Sequence, residues 1–333
     1  LAAGPAPAAK PARSWAQAEI ELVVASGLMA SEATSFRPDD ALTSGELAEL
    51  VGGLTGEGPV PVAEPSAPVT MAGLDGRLVR ALELQDGALA FTRAARAAGL
   101  RPPGRFGTEV VARLLGLRTN HPAARDDLER LPNDPATRAE AAYSAARIIR
   151  FTGREVASAR EAAASFALPA LSPWQMRVLG TAFGLVGFPY VWGGESERAT
   201  GALGPLAQGG FDCSGFVWRV YKLQKYPEAL ALAETLRGRT TFAMSGEVPR
   251  SARIPLAELQ AGDVVFFGSK GPRSRPVQVD HMGIYAGGGW MAHSSRNGVT
   301  LVPLAGWYLE RFAWARRPLA EAGLLGANPV QKP

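Results

Sequence analysis

Cysteine is nearly absent: Cys213 is the only one in a chain of 333 residues. A single thiol excludes an intramolecular disulfide, so apolar cores must hold the fold. It does not assign a compartment, because exported bacterial proteins often lack disulfides. Histidine is scarce too, limited to His121, His281 and His293. With no close-spaced ligand pair and no evident fourth ligand, a zinc site built on Cys213, His281 and His293 has little to recommend it. Neither a metal nor an organic cofactor is expected. Charge of one sign never accumulates: the formal net charge is +4, with no block of like charge. No nucleic-acid motif accompanies it, so no nucleic-acid partner is expected. Long apolar runs are also missing. The best candidate, residues 178–194, falls short of the ~20 residues of a membrane span and contains Pro189 and five glycines.

Hydrophobic residues make up 47% of the chain and charged residues 20%. That is enough for more than one core, and the length suits two domains of ~150 residues. Residues 1–13 are rich in alanine and proline and read as a disordered leader. They lack a basic region ahead of an apolar stretch, as expected of a processed front whose signal peptide is gone. Residues 14–152 follow a helical pattern with Trp15, Ile20, Val23 and Val24 at helical spacing. TSGE at 43–46 has the form of a capping box, and TRAE at 137–140 repeats it. Between them, PVTMAGLDGRLVRAL keeps the threonine without the glutamate. His121 stands in a loop before Pro122 and is expected to be exposed. Residues 153–172 read as a linker, residues 173–320 as a second domain and 321–333 as a tail.

A helix ending in GL, a turn of the form FRPD and a threonine-started helix resemble S-layer homology repeats. The likeness is clear in residues 15–54 and faded in 69–151. Arg138 and Glu140 match the threonine-arginine-alanine-glutamate signature, whereas Ser44 and Gly45 replace its arginine and alanine in the first copy. The resemblance implies binding to a secondary cell-wall polymer. The alternative is a well-capped helical spacer.

The second domain changes character. SPWQMRVLGTAFGLVG reads as a helix, PYVWGG as a short strand or turn, and FDCSGFVWRVYKL as a helix opened by Cys213. Strands follow at DVVFF, DHMGIYAG, MAHSS, GVTLVPL and FAWARRP, an α+β plan. A lone cysteine is more often a packing residue than a reactive one. Here the helix N-terminus favours the thiolate. His281 and His293, on consecutive strands, supply a base and a group to hold it. Asp212 is placed to cap the helix.

PYVWGG, FDCSGFV, AGDVVFF, DHMGIYAG and MAHSS, in that order, resemble the NlpC/p60 family of cell-wall cysteine peptidases. The resemblance covers about residues 173–318 and implies a papain-like α+β fold. It implies peptidoglycan stem peptides as partners, cleaved commonly after D-isoglutamate, in a secreted or wall-associated protein. By position, Cys213 is the nucleophile, His281 the base and His293 the polar third member. Tyr190 matches an oxyanion tyrosine, and Asp212 and Ser214 match positions that hold the substrate's amino end. Rival readings are a papain-like amidase or acyltransferase, and a silent wall-binding protein. Two polar loops depart from the pattern, ESERATGALGPLAQGG at 195–210 and GSKGPRSRPVQV at 268–279. Both are expected to border the cleft.

Overall fold

A computed structural model describes residues 13–206 and 208–325. Apart from Arg13, the expected leader lies outside those residues, as does the expected tail beyond Leu325. Helices α1 (Gln17–Ala25), α2 (Ser44–Thr55), α3 (Met71–Ala81), α4 (Gln85–Ala97), α5 (Phe106–Leu114), α6 (Arg138–Ile149) and α7 (Arg154–Ser165) make the region up to residue 165 helical, and α8 (Pro173–Gly184) follows. Threonine starts three of them. Thr43 Oγ1 accepts from the Glu46 amide at 3.3 Å while Glu46 accepts from the Thr43 amide at 2.9 Å, a closed capping box. Thr137 caps α6 through the Glu140 amide at 3.2 Å, and Thr70 caps α3 through Gly73 at 3.1 Å. Each such cap contributes about 1 kcal/mol.

Contacts gather the chain into two compact units, Leu1–Val69 with Ala136–Arg150, and Thr70–Pro135 with Phe151–Pro333. The first contains α1, α2 and α6. It buries Ile20, Val23, Phe36, Leu42, Leu47, Leu50 and the alanines of α6. Three backbone bonds close a ring: Leu42 donates to Ala136, Ala136 to Val69 and Val69 to Leu42, at 2.8, 2.8 and 2.9 Å. A second pairing recurs after each capping threonine. Ser44 and Gly45 donate to Ala67 and Pro65; Met71 and Ala72 to Asp134 and Pro132; Arg138 and Ala139 to Asp40 and Pro38. The same pair of backbone donors thus follows each of the three capping threonines. Arg138 itself is buried, donating to Glu46 and to the carbonyls of Phe36 and Met29.

The second unit joins α3, α4, α5 and α7 to the α+β part. Short strands β1 (Glu195–Ser196), β2 (Thr200–Gly201), β3 (Gly204–Pro205) and β4 (Gly210–Phe211) precede helix α9 (Cys213–Trp218), which continues as a π-turn over Arg219–Leu223. Helices α10 (Leu230–Thr235) and α11 (Thr241–Gly246) lead to β5 (Val264–Gly268), β6 (Val279–Gly287), β7 (Trp290–Ser295) and β8 (Gly298–Pro303). Helix α12 (Trp307–Arg311), β9 (Phe312–Arg316) and α13 (Pro318–Glu321) finish the described fold. The last five strands form one antiparallel sheet in the order β8-β7-β6-β5-β9. Helix α9 packs on β6 and β7. Its buried Phe216, Val217 and Val220 set it on the sheet.

The helices before the sheet are fastened to it. Phe91 of α4, Phe166 and Trp290 of β7 meet with ring centroids 4.9 to 5.4 Å apart. Arg113 of α5 is buried, pairs with Glu109 at 3.2 Å, and donates to the carbonyls of Gly187 and Asn297. Asn297 returns a bond to the Arg113 carbonyl at 3.3 Å. Asn297 lies in the turn after β7, so this clamp holds the end of the strand that carries His293.

Candidate active site

Asp212 is the N-cap of α9. Its Oδ1 accepts from the Gly215 amide at 2.5 Å, which fixes the first helical turn and with it Cys213. Cys213 is half-buried, with its Sγ 3.5 Å from the Thr241 hydroxyl at the start of α11. The backbone N–H groups of Ser214 and Met282 also point at the sulfur. Met282 directly follows His281, so the thiol lies against β6 at the histidine.

His281 and His293 meet across β6 and β7. His281 Nε2 and His293 Nδ1 are 2.8 Å apart. That bond occupies Nε2 of His281 and leaves its Nδ1 outside the pair. Gly283 makes the approach possible, because a Cβ there would lie 3.0 Å from His293 Cβ and 2.8 Å from the Ala292 carbonyl. Aromatic rings wall the pair. Phe267 stacks on His281 at 5.7 Å, Tyr308 stands edge-on to His293 at 5.3 Å, and Trp307 lies 6.3 Å from His281.

Residues 187–317 match the NlpC/P60 family. Within that match helix α9 packs on the antiparallel sheet, an α+β arrangement. The chain is 30% identical over 124 residues to the gamma-D-glutamyl-L-lysine dipeptidyl-peptidase of Bacillus subtilis strain 168, covering 37% of this chain and 33% of that protein. It is 34% identical over 135 residues to murein DD-endopeptidase MepH of Escherichia coli K12, covering 40% and 41%. A crystal structure of an NlpC/P60 family protein from Bacillus cereus ATCC 10987 aligns at 27% identity with a TM-score of 0.33, over 46% of this chain and 43% of that one. The chain thus spans about a third to two fifths of the length of these curated relatives.

In the NlpC/P60 region the dry setting governs protonation. Burial, then the Asp212 charge, pushes the Cys213 thiol up to about 11, against smaller opposing effects of Thr241 and the two amides. Burial brings His281 down to about 4; Asp280 opposes this and Arg311 adds to it. His293 is driven well down by burial and by His281. All three shifts favour the neutral forms, a protonated thiol and unprotonated imidazoles.

The predicted site residues do come together. Tyr190 lies within electrostatic reach of Cys213 and Asp212, and burial raises its phenol, which keeps it a hydrogen-bond donor. PYVWGG is a turn and not a strand, tied to the segment before α9 by Phe211 to Pro189 at 3.1 Å, Val191 to Phe211 at 3.4 Å and Asp212 to Gly194 at 3.0 Å. Asp212 and Ser214 have their polar atoms committed. Arg239 Nη1 donates to Asp212 Oδ1 at 3.1 Å and Ser214 Oγ at 2.7 Å, and Ser214 donates to Asp212 at 2.9 Å. The Gly193 amide binds the other Asp212 oxygen at 3.0 Å.

Arg239 was missed from sequence. Its Nε pairs with the buried Glu195 at 3.0 Å, and Nη2 donates to the carbonyls of Gly193 and Gly194 at 2.9 and 3.1 Å. No short spacing links Arg239 to the cysteine motif, so only an unmatched glutamate beside an apolar motif hinted at a partner. Thr241, Trp307 and Tyr308 were missed too. They come from segments with no chemical signature of their own.

The 195–210 loop is a pair of small antiparallel ladders, β1 with β4 and β2 with β3. Arg219 grips its Glu197 with two bonds of 2.9 and 2.8 Å, and Glu195 accepts from Leu203 at 2.8 Å. Gln208 reaches the Glu129 carbonyl at 3.3 Å, and the Trp192 backbone donates to Asp126. The segment after α5 therefore borders the cleft rim. His121 belongs there and is buried at 4% exposure, contrary to the expectation of an exposed loop residue. Its amide donates to the Glu129 carboxylate at 2.6 Å, which draws it under the loop.

Proposed function

We propose that this chain is a cysteine endopeptidase that hydrolyses peptidoglycan stem peptides. The reading rests above all on the His281–His293 pair beside Cys213, inside the residues that match the family. The printed activities of the relatives support the substrate class. In this reading His281 keeps its proton on Nε2, bonded to His293, and takes the thiol proton on Nδ1 as sulfur attacks the scissile carbonyl. The Cys213 amide and the Tyr190 hydroxyl face the oxyanion. The amine leaves with the proton from His281. Water then gives a proton to His281, attacks the thioester, and releases acid and thiol. The bond proposed is that between D-isoglutamate and the next diamino acid. Asp212 and Ser214, saturated by Arg239, shape the acyl end of the cleft and offer no free carboxylate to a substrate amine. For the helical region we also propose a wall-facing role through S-layer-homology-like repeats, supported by the recurrent threonine-started pairings. Binding of full-length Cys213→Ala protein to walls before and after removal of secondary polymer tests it.

The enzymatic reading predicts new amino and carboxyl termini when the protein is incubated with purified peptidoglycan, identified by mass spectrometry. Cys213→Ala should abolish them while the circular dichroism spectrum stays that of the wild type. Fragments produced equally by that variant would overturn the assignment. Termini at an amide or ester bond other than a stem peptide bond would favour the amidase or acyltransferase reading.

A further inference from the structure

We propose that the recess between residues 269–273 and 310–311 is a subsite for a carboxylate on the leaving fragment of the stem peptide. This rests on the roles of Cys213 and His281 given above. The recess is a broad open groove of about 1040 Å³, lined by Lys270, Arg273 and Arg311, with Glu310 as its one acid. Lys270 and Arg273 are exposed and have no ion-pair partner among the described residues. Arg311 is held by Asp280, Nη2 to Oδ2 at 2.5 Å, while its Nε is buried with no hydrogen-bond partner among the described residues.

The position follows from the chemistry of the step. The departing amine takes its proton from His281, so its fragment lies on the His281 side of Cys213. Asp280 immediately precedes His281, and its partner Arg311 lines the recess. Trp307 bridges the two, with its ring 6.3 Å from His281 and 4.6 Å from the Arg311 guanidinium. A chain leaving His281 along Trp307 meets the cationic wall next.

The wall is built and not a loose loop. Lys270 N donates to Ser274 Oγ at 3.0 Å, and Ser269 N to the Gln278 carbonyl at 3.1 Å. Gly271, at φ +53°, sits so close that a Cβ would lie 2.9 Å from the Glu310 carbonyl. The glycine lets the two walls of the recess approach. Such a site attracts carboxylates and repels the ammonium of a lysine side chain. The substrate class is therefore a stem whose leaving part bears a free carboxylate, either on the diamino acid side chain or at the peptide terminus.

The test uses synthetic stem peptides with one acyl part and different leaving parts. These carry diaminopimelate with a free side-chain carboxylate, the same residue amidated, lysine in its place, and each with a terminal D-alanine as acid or amide. The wild type should show kcat/KM about ten-fold higher for a free acid than for its amide, the scale of a charge-assisted hydrogen bond. The amide that causes the loss identifies which carboxylate is bound. In the Lys270→Gln, Arg273→Gln double variant the ratio should fall towards one. Equal rates for acid and amide in the wild type, or a ratio unmoved in the variant, would overturn the subsite alone. Failure to cleave any of the peptides overturns the peptidase reading and the subsite with it.

Discussion

On the Asp212 side of Cys213, every charge has a partner: Arg239 answers Glu195 and Asp212 together and ties down Ser214 and two carbonyls. On the His281 side, two imidazoles lean on aromatic rings, and His293 Nε2 is buried with no hydrogen-bond partner among the described residues. The first arrangement is saturated and stiff. The second keeps unspent bonding capacity in a dry place, where proton affinity responds to small changes in charge. In the proposed mechanism the contrast divides labour around one sulfur, with position set on one side and proton traffic on the other.

The largest expected break in that contrast is His281→Ala. It should cost at least ~10³-fold in kcat/KM with little loss of stability, read from initial rates beside a urea titration. Arg239→Met should do the reverse. It leaves the buried Glu195 without its cation, and unfolding stability should drop by about 3–5 kcal/mol. An Arg239 variant of wild-type stability would end the claim that this side is structural. His293→Ala should be milder, about 10²-fold in kcat, because it removes the holder of the base and not the base. Restoration of part of that loss by His293→Asn, which can still accept from His281 Nε2, would separate orientation from packing.

The smallest effect is the most discriminating. With neutral His281 proposed as the base, kcat/KM should fall as pH drops through about 4. It should also fall above about 11, where the thiol has already lost the proton that the amine needs. Asp280→Asn removes a charge that raises His281 and frees Arg311, which lowers it, so the acid limb should move to lower pH. A limb that moves upward would refute the electrostatic assignment. Stability runs in the same direction. A histidine kept neutral in the fold is protonated more readily when unfolded, so stability declines from pH 6.5 towards about 4. Rates must therefore be taken before unfolding intervenes.

Much of this was legible in the residues. Apolar runs bounded by turn residues located β5 to β9, with alternation in β6, and threonine caps located α2, α3 and α6, because all depend on near neighbours in sequence. Cys213, His281 and His293 were legible because few residues of their kind exist in the chain. Arg239 was not, since its partners Glu195 and Asp212 lie 44 and 27 residues away with no periodicity between them. The 195–210 ladders were invisible for a related reason: two-residue strands carry no alternation to read. The burial of His121 depends on Glu129 folding back over it, which loop composition does not announce.

The backbone ring of Leu42, Val69 and Ala136 bears on the order in which the protein can fold. Two of its three bonds need Ala136, made after an intervening stretch that packs elsewhere. At about 5–20 residues per second, a ribosome needs roughly 3–13 s between Val69 and Ala136. Over that interval α1 and α2 exist without α6, their apolar faces uncovered. Helices α1 and α2 are thus made well before their fold can be completed, and a chain released early would expose those faces to proteases and to aggregation.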